Sequence, residues 1–400
     1  MYFAKYLKQL GWEPIVITVD ENQASYPQWD KSLLAEVAQI RVIKTATREP
    51  LRLYARLTSG SATQGIPQGE VNTKGLFGKL AAYIRGNYFI PDARKRWVPF
   101  AVRAAQKIMQ EENITHLITT GPPHSTHLAG LELVKQFELN WWVDFRDPWS
   151  TIFYNQQMRR SQRSQDKDVQ LEKTVLQTAN GVLTTLGGEL HQSLKQKAPQ
   201  QRFVALPNGF DLELMENIEA HPPKSIFHVV YTGLLTQKQA YGSIVDALQK
   251  LQGDRPIRFS LAGNISDSII EEIRTRLPEV EVVFHGYLNH SEAIRLMKNA
   301  HLLLNFIFEG AQTQMISGKL LEYFATEVPV LSLGNPDSEA GRFIAQGTHA
   351  KMIQSIDDSA IDDFIQSLYK RKNSPKNSYK DLEQWSRLAI TKQLIASILK

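Results

Sequence analysis

The 400-residue chain contains no cysteine, which excludes disulfides, thiolate nucleophiles and cysteine-ligated zinc or iron–sulfur centres. No run of about 20 apolar residues is present to span a bilayer, and the N-terminus lacks the apolar core of a signal peptide. No recognised nucleic-acid-binding module occurs either, so nucleic acid is not an expected partner. A cytoplasmic location follows from these absences as an expectation.

What is present reads as globular: 42% hydrophobic and 22% charged residues. This length exceeds one ordinary core and predicts two domains of roughly 150 to 200 residues each. The net charge of +5 is modest and suits anionic partners such as nucleotide phosphates or a lipid surface. Much of it is concentrated between Lys74 and Lys107, where Lys79, Arg85, Arg94, Lys95, Arg96 and Arg103 face the single acid Asp92. Tyr83, Phe89, Trp97 and Phe100 are interleaved with them. Such a mixture seats a helix on an anionic membrane; the alternative is a solvated face with its aromatics packed inward.

Along the chain, strand and helix patterns alternate. YFAKYLKQL (2–10) has helical apolar spacing closed by Gly11, and the strand PIVITVD follows. An alternating sheet places a strand and a glycine-rich turn ahead of such a helix, so either the chain starts late relative to its relatives or the N-terminal domain lacks its first strand and exposes an edge. A helix is predicted from about Pro91 to Gln110, opened by Pro91 and Asp92. The strand HLITT (116–120) runs into GPPHSTH, which puts His124, Ser125 and His127 at a strand's carboxyl end, where open α/β sheets bind ligands. NWWVDF (140–145) runs into RDPWS, so Asp144, Arg146 and Asp147 are expected to orient one another as ion pairs at the same sheet edge. For the histidines a structural role is the plainer reading; for the Asp144 cluster, at the same sheet edge beside the GPPHSTH turn, a site is preferred over local structural pairing.

LPNG makes a turn near Asn208, and HPPK (221–224) reads as a linker, after which the alternation restarts with FHVVYTG. The turn GLLTQKQAYG offers Gly233, Lys238 and Gly242 to a phosphate, although it is neither a P-loop nor a GxGxxG. Strands continue through IRFSLAG, VEVVFHGYL, HLLLNFIF and VPVLSLG, and the chain closes with a helix from about Tyr379 to Leu399. Two doubly wound α/β domains facing across a cleft are therefore predicted.

The most informative stretch is EGAQTQMISGKLLEYFATEVP (309–329), in a strand, loop, helix, strand order. Ser317 and Gly318 open the helix, where free backbone N–H groups and the helix dipole favour an anion and Lys319 adds a full charge. Glu322, one turn on, is placed to accept from the hydroxyls of a molecule whose phosphates sit at the helix start. An ordinary soluble helix with a surface Lys and Glu is the competing reading.

Taken together, TTGPPHSTHLAG, VDFRDPW, LPNGFD, VVYTGLL, FHGYL and SGKLLEYFATEVPVL resemble the GT-B glycosyltransferases of family four, also called group 1, and most of all bacterial members acting in surface polysaccharide synthesis. The resemblance implies an acceptor-side domain over 1–221, a nucleotide-sugar-binding domain over 222–377, and a terminal helix over 378–400 packing back on the first. It implies that Glu322 holds the donor ribose. Lys319 and Lys238 would neutralise the donor phosphates, with no cofactor and no metal, and Gly233, Gly310, Ser317 and Gly318 would line the site. Gln314 stands where many members have a Glu touching the transferred sugar, and Arg146 where many have a His. The implied reaction is retaining transfer to a glycan or lipid-linked acceptor, with Asp144, Arg146, Asp147, His124 and His127 as candidates for acceptor orientation or proton transfer. The chain would lie in the cytoplasm or at the inner face of the plasma membrane. Two alternatives remain open at this point: an inactive or truncated nucleotide-sugar-binding protein, and a nucleotide-sugar epimerase.

Overall fold

Uninterrupted apolar runs mark strands covered on both faces, and in the computed structural model they form the middle of parallel sheets. The structure describes the chain except for residues 25–35, 49–74, 153–154, 156–157, 186, 252, 308–317, 372, 374 and 399–400, with residues 75–81 described by their backbone alone. It divides into two units, Met1–Pro207 with Thr391–Lys400, and Asn208–Ile390.

The first unit runs through α1 (Tyr2–Gln9), β1 (Ile15–Val19), β2 (Arg41–Thr45), α2 (Gly75–Tyr88), α3 (Val98–Glu111), β3 (His116–Gly121), α4 (Ser125–Leu133) and β4 (Asn140–Phe145). It continues with α5 (Gln162–Thr178), β5 (Gly181–Thr184), α6 (Glu189–Lys197) and β6 (Arg202–Ala205). β1 and β2 pair in parallel as one sheet, and β3, β4, β5 and β6 form a second, also parallel, in that order. Trp141, Val143 and Phe145 on β4 are buried with Val175, Leu176, Val182 and Leu194 in one core cluster.

α3 begins at Val98, after a 3-10 turn at Lys95–Trp97, rather than at the expected Pro91. The reason is tertiary. The Asp92 carboxylate accepts from the Ser125 backbone N–H and from the Ser125 hydroxyl, both at 2.8 Å, and from the Arg94 backbone N–H at 2.9 Å. It thereby ties the start of α4, a distant helix, to a local turn ahead of α3.

The second unit holds α7 (Leu212–Asn217), β7 (Phe227–Thr232), α8 (Gly242–Gln249), β8 (Ile257–Ala262), α9 (Asp267–Arg276), β9 (Glu281–Phe284), α10 (His290–Lys298) and β10 (Leu302–Phe306). Then come α11 (Lys319–Ala325), β11 (Val330–Leu333), α12 (Glu339–Ile344), β12 (Ala350–Ile353), α13 (Asp358–Tyr369) and α14 (Arg387–Ile398), the last passing into the first unit at Thr391. Its six parallel strands are ordered β12, β11, β10, β7, β8, β9. The strand order reverses between β7 and β10, so the crevice where doubly wound sheets take their ligands lies at the carboxyl ends of those two strands. Both are lined by buried residues, among them Val229, Val230, Tyr231, Leu302, Leu303 and Leu304.

The division falls at Pro207 rather than near 221 because the intervening residues belong to the second core: Phe210, Met215 and Ile218 are buried against Val230, Leu303 and Phe324. The sheet also extends one strand beyond VPVLSLG. β12 is a four-residue edge strand, half buried along its length, and gives little apolar signal. At the C-terminus the helix starts at Arg387, after a 3-10 turn at Leu382–Trp385, and not at Tyr379. Its far end meets β4, where Asn140 Nδ2 donates to the Ile398 carbonyl at 3.1 Å.

Candidate active site

In the second unit, β7 ends at Thr232 and is followed by Gly233, whose φ of +126° is a conformation side chains rarely adopt. A Cβ there would come 2.7 Å from Lys319 Nζ. The lysine, first residue of α11, donates to the Thr232 carbonyl at 2.7 Å and stands 4.2 Å above the centre of the Tyr231 ring. Burial pushes its ammonium down to about 7. Tyr323, one turn further along α11, places its hydroxyl 3.1 Å from Thr232 Oγ1. The structure therefore brings Gly233 and Lys319 together at the switch point of the sheet.

Glu322 takes a different direction. Its Oε1 accepts from His290 Nε2 at 2.8 Å, with the ring in its Nε2–H form, and from Arg387 Nη2 at 3.0 Å. Neither partner was expected from the sequence. His290 follows Asn289, which with Glu292 makes a capping box on α10, and that box is a local sign of a helix start facing the site. Arg387 carries no local sign at all.

Lys238 is exposed on the loop after β7, and its side chain makes no hydrogen bond or ion pair among the described residues. Gly318 is the N-cap of α11 and is exposed. Gly310, Gln314 and Ser317 lie outside the described residues. Among the described residues no group of three or more His, Asp or Glu is arranged to hold a metal.

In the first unit, Arg146 Nε is 2.8 Å from the Asp144 carboxylate, its Nη1 donates to the Leu206 carbonyl at 3.1 Å, and its guanidinium lies over the Phe3 ring. Asp144 is 1% exposed, so this pair is a strut between the ends of β4 and β6. The expected ion-pair triad does not form: Arg146 meets Asp144 and the Leu206 carbonyl, while Asp147 makes no ion pair or hydrogen bond among the described residues. Half-buried, its carboxyl is pushed up by desolvation alone.

His124 and His127 are buried among aromatics. His124 stacks on Trp149 at 5.2 Å between centroids, and His127 on Phe145 at 4.9 Å. His124 Nε2 meets the Pro148 carbonyl at 3.2 Å and His127 Nδ1 meets Thr119 Oγ1 at 2.9 Å. The remaining nitrogens, His124 Nδ1 and His127 Nε2, are buried without partners among the described residues. They converge on Gly121, where a Cβ would stand 2.8 and 2.7 Å from them. Trp149 is held in turn by Asp168, which also accepts from Arg160 at 2.6 Å.

Burial lowers the pKa of His124 to about 4 and that of His127 well below 6.5. Between pH 6.5 and about 4 the unfolded chain therefore binds protons that the folded chain refuses, and stability falls as pH drops through that window. The unfolding free energy from urea titrations repeated against pH should decline across it by on the order of 2 to 3 kcal/mol for His124. His124→Gln should flatten the curve; an unchanged slope would contradict the buried neutral ring.

Residues 226–371 match the family model described as glycosyl transferases group 1. They form a group 1 glycosyltransferase domain. This domain contains Gly233, Lys319, Glu322 and His290, whereas Arg387 lies beyond the match. Comparison with curated proteins finds no match. Solved structures similar to the chain include sucrose-phosphate synthase from Thermosynechococcus elongatus, with a TM-score of 0.61 and 14% identity over 99% of this chain and 87% of that one. HepE of Anabaena, solved with UDP, gives a TM-score of 0.58 and 13% identity over 96% of this chain and 99% of that one. The N-terminal domain of Candida albicans trehalose-6-phosphate phosphatase gives 0.59 and 11% over 100% and 91%. At such identities the likeness establishes the fold, two Rossmann-like units of the GT-B kind carrying the group 1 domain, and leaves the reaction to be argued from the site.

Proposed function

We propose that the chain is a retaining glycosyltransferase that moves a sugar from a nucleotide-sugar donor to a glycan or lipid-linked acceptor in surface polysaccharide synthesis. The observation that carries this reading is the convergence of Gly233 and Lys319 at the carboxyl end of β7 inside a group 1 domain, with the Glu322 carboxylate on the same short helix. HepE, a protein of the same fold, is solved with UDP. Transfer builds negative charge on the leaving diphosphate, and an ammonium already held beside a backbone glycine is placed to stabilise it without a metal. Lys238, exposed in the same loop, is a second cation for that role, while Glu322 accepts from the ribose. On the acceptor side, Asp147 is the carboxylate of the candidate set without a partner among the described residues, and its raised pKa suits proton transfer. Asp144, Arg146, His124 and His127 support it structurally.

The test is transfer from UDP-, GDP- and dTDP-sugars to simple glycan and polyprenyl-phosphate acceptors, with the product anomer read by NMR. A product of inverted configuration refutes retention, and absence of both transfer and donor hydrolysis with every donor refutes the enzyme reading.

Among the described residues no helix is long and apolar enough to cross a membrane. We further propose that α2 seats the protein on the inner face of the plasma membrane. Tyr88 is 74% exposed and Tyr83 and Ile84 are exposed beside it, while Arg96, Arg103 and Lys107 on the following segment also face solvent. Each such cation contributes about 1 kcal/mol near an anionic surface. Flotation with phosphatidylserine-containing vesicles should exceed that with neutral ones by about tenfold or more. The combined Tyr83→Ser, Ile84→Ser and Tyr88→Ser variant should lose the difference; equal flotation of the unaltered chain on both vesicle types would end this proposal.

A further inference from the structure

The Asn208, Gly209 and Phe210 turn has no part in the donor reading, yet it touches both the start of α11 and the arginine that pairs with Glu322. Asn208 Nδ2 is 3.3 Å from where a Cβ would stand at Gly318. At Gly209, whose φ is +67°, a Cβ would come 2.8 Å from the Trp385 carbonyl oxygen and 3.2 Å from Arg387 Cγ, so the turn lies directly against the arginine stem. The Phe210 carbonyl accepts from the Arg387 backbone N–H at 2.8 Å, and the Phe210 N–H donates to the Trp385 carbonyl at 3.2 Å. The arginine side chain is 7% exposed and Glu322 17% exposed.

Both donors on the carboxylate reach the same oxygen, Oε1, from His290 at 2.8 Å and Arg387 at 3.0 Å. Glu322 Oε2 carries no hydrogen bond among the described residues, and it is not among the buried unpartnered atoms. A carboxylate free to rotate must be ordered when a ligand arrives, whereas one already held by two charge-assisted donors presents its second oxygen in a fixed direction. We propose that Arg387 and His290 are positioning residues for nucleotide recognition. They hold Oε1 so that Oε2 accepts from the ribose diol, and the Asn208–Phe210 turn fixes the arginine. This rests on the reading that Glu322 meets the ribose.

The experiment titrates uridine and guanosine diphosphates, and their 2′,3′-dideoxy counterparts, into the full chain and its variants. The wild type should prefer the ribonucleotide by about tenfold or more, as expected for a hydrogen bond to a charged acceptor. Glu322→Gln and Arg387→Met should each reduce that preference to within about twofold while leaving affinity for the dideoxy compound nearly unchanged. Arg387→Lys should recover part of it, since an ammonium replaces the charge but not the planar fork. Where Arg387→Met fails to fold, His290→Ala against His290→Gln gives the same comparison, the amide of Gln restoring a donor to Oε1. If Glu322→Gln abolishes the preference while Arg387→Met and His290→Ala keep it, the positioning proposal is overturned and the ribose reading stands. If the wild type shows no preference, or binds neither nucleotide, the ribose reading itself fails and takes the proposal with it.

Discussion

Glu322→Ala is expected to lower nucleoside diphosphate affinity by about 100-fold and to destabilise the second unit by about 3 kcal/mol. The two effects have different origins. Affinity falls because the acceptor for the ribose is removed. Stability falls because Arg387 and His290, both largely buried, lose the oxygen they share. Removing one member of a buried pair leaves the other charge uncompensated, which is worse than removing both. The double variant Glu322→Ala with Arg387→Met should therefore melt higher than Glu322→Ala alone, while binding nucleotide no better. Calorimetric titration and thermal denaturation on the same samples separate the two. An alanine variant that binds UDP and GDP as the wild type does would remove the donor site from α11.

The second large effect is expected at Lys319. Its ammonium titrates at about 7 in the folded chain against 10.5 when unperturbed. Between those values the unfolded chain holds a proton that the folded chain has lost, so the lysine makes stability rise with pH from about 7 to 10.5. Lys319→Met should remove that slope. It should also lower kcat/KM by roughly 100- to 1,000-fold, the usual consequence of deleting one stabiliser of developing negative charge. A diphosphate seated beside the amine would restore its charge, so binding near pH 7.5 should draw a proton from solution. The uptake is read as a dependence of the binding enthalpy on the buffer's ionisation enthalpy. Binding without proton uptake, together with unimpaired turnover of Lys319→Met, would mean that the phosphates sit elsewhere.

The sheet of the second unit was legible because β7 and β10 carry the apolar runs Val229–Tyr231 and Leu302–Leu304, the pattern that burial on both faces imposes. β12 was not, since an edge strand of four residues with an exposed Lys351 in it carries no such run. The start of α3 was misplaced for a reason no local pattern contains: Asp92, a good opening residue by its chemistry, holds the start of a helix that begins 33 residues later. The site shows the same division. Gly233, Lys319 and Glu322 stand in recognisable turn and helix-start contexts, so their residue types pointed to a ligand. That the glycine and the lysine meet, and that Glu322 is held by residues 32 and 65 positions away, are products of tertiary folding. In the RDPW segment the expected Asp144–Arg146 pair forms, whereas Asp147 stays out of it, and the Leu206 carbonyl that Arg146 also meets comes from a strand end 60 residues away, which no local pattern announces.

The first unit consists of residues from both ends of the chain, Met1–Pro207 and Thr391–Lys400, and the second lies wholly between them. In terms of recombination, the group 1 domain is an insertion and not a tail. A donor unit exchanged between relatives therefore has two junctions to satisfy. The earlier one falls beside the Asn208 turn. The later one falls inside α14, between Ile390 and Thr391, where a shift of one residue would turn Leu394 and Ile398 by about 100° relative to Arg387 and Ile390.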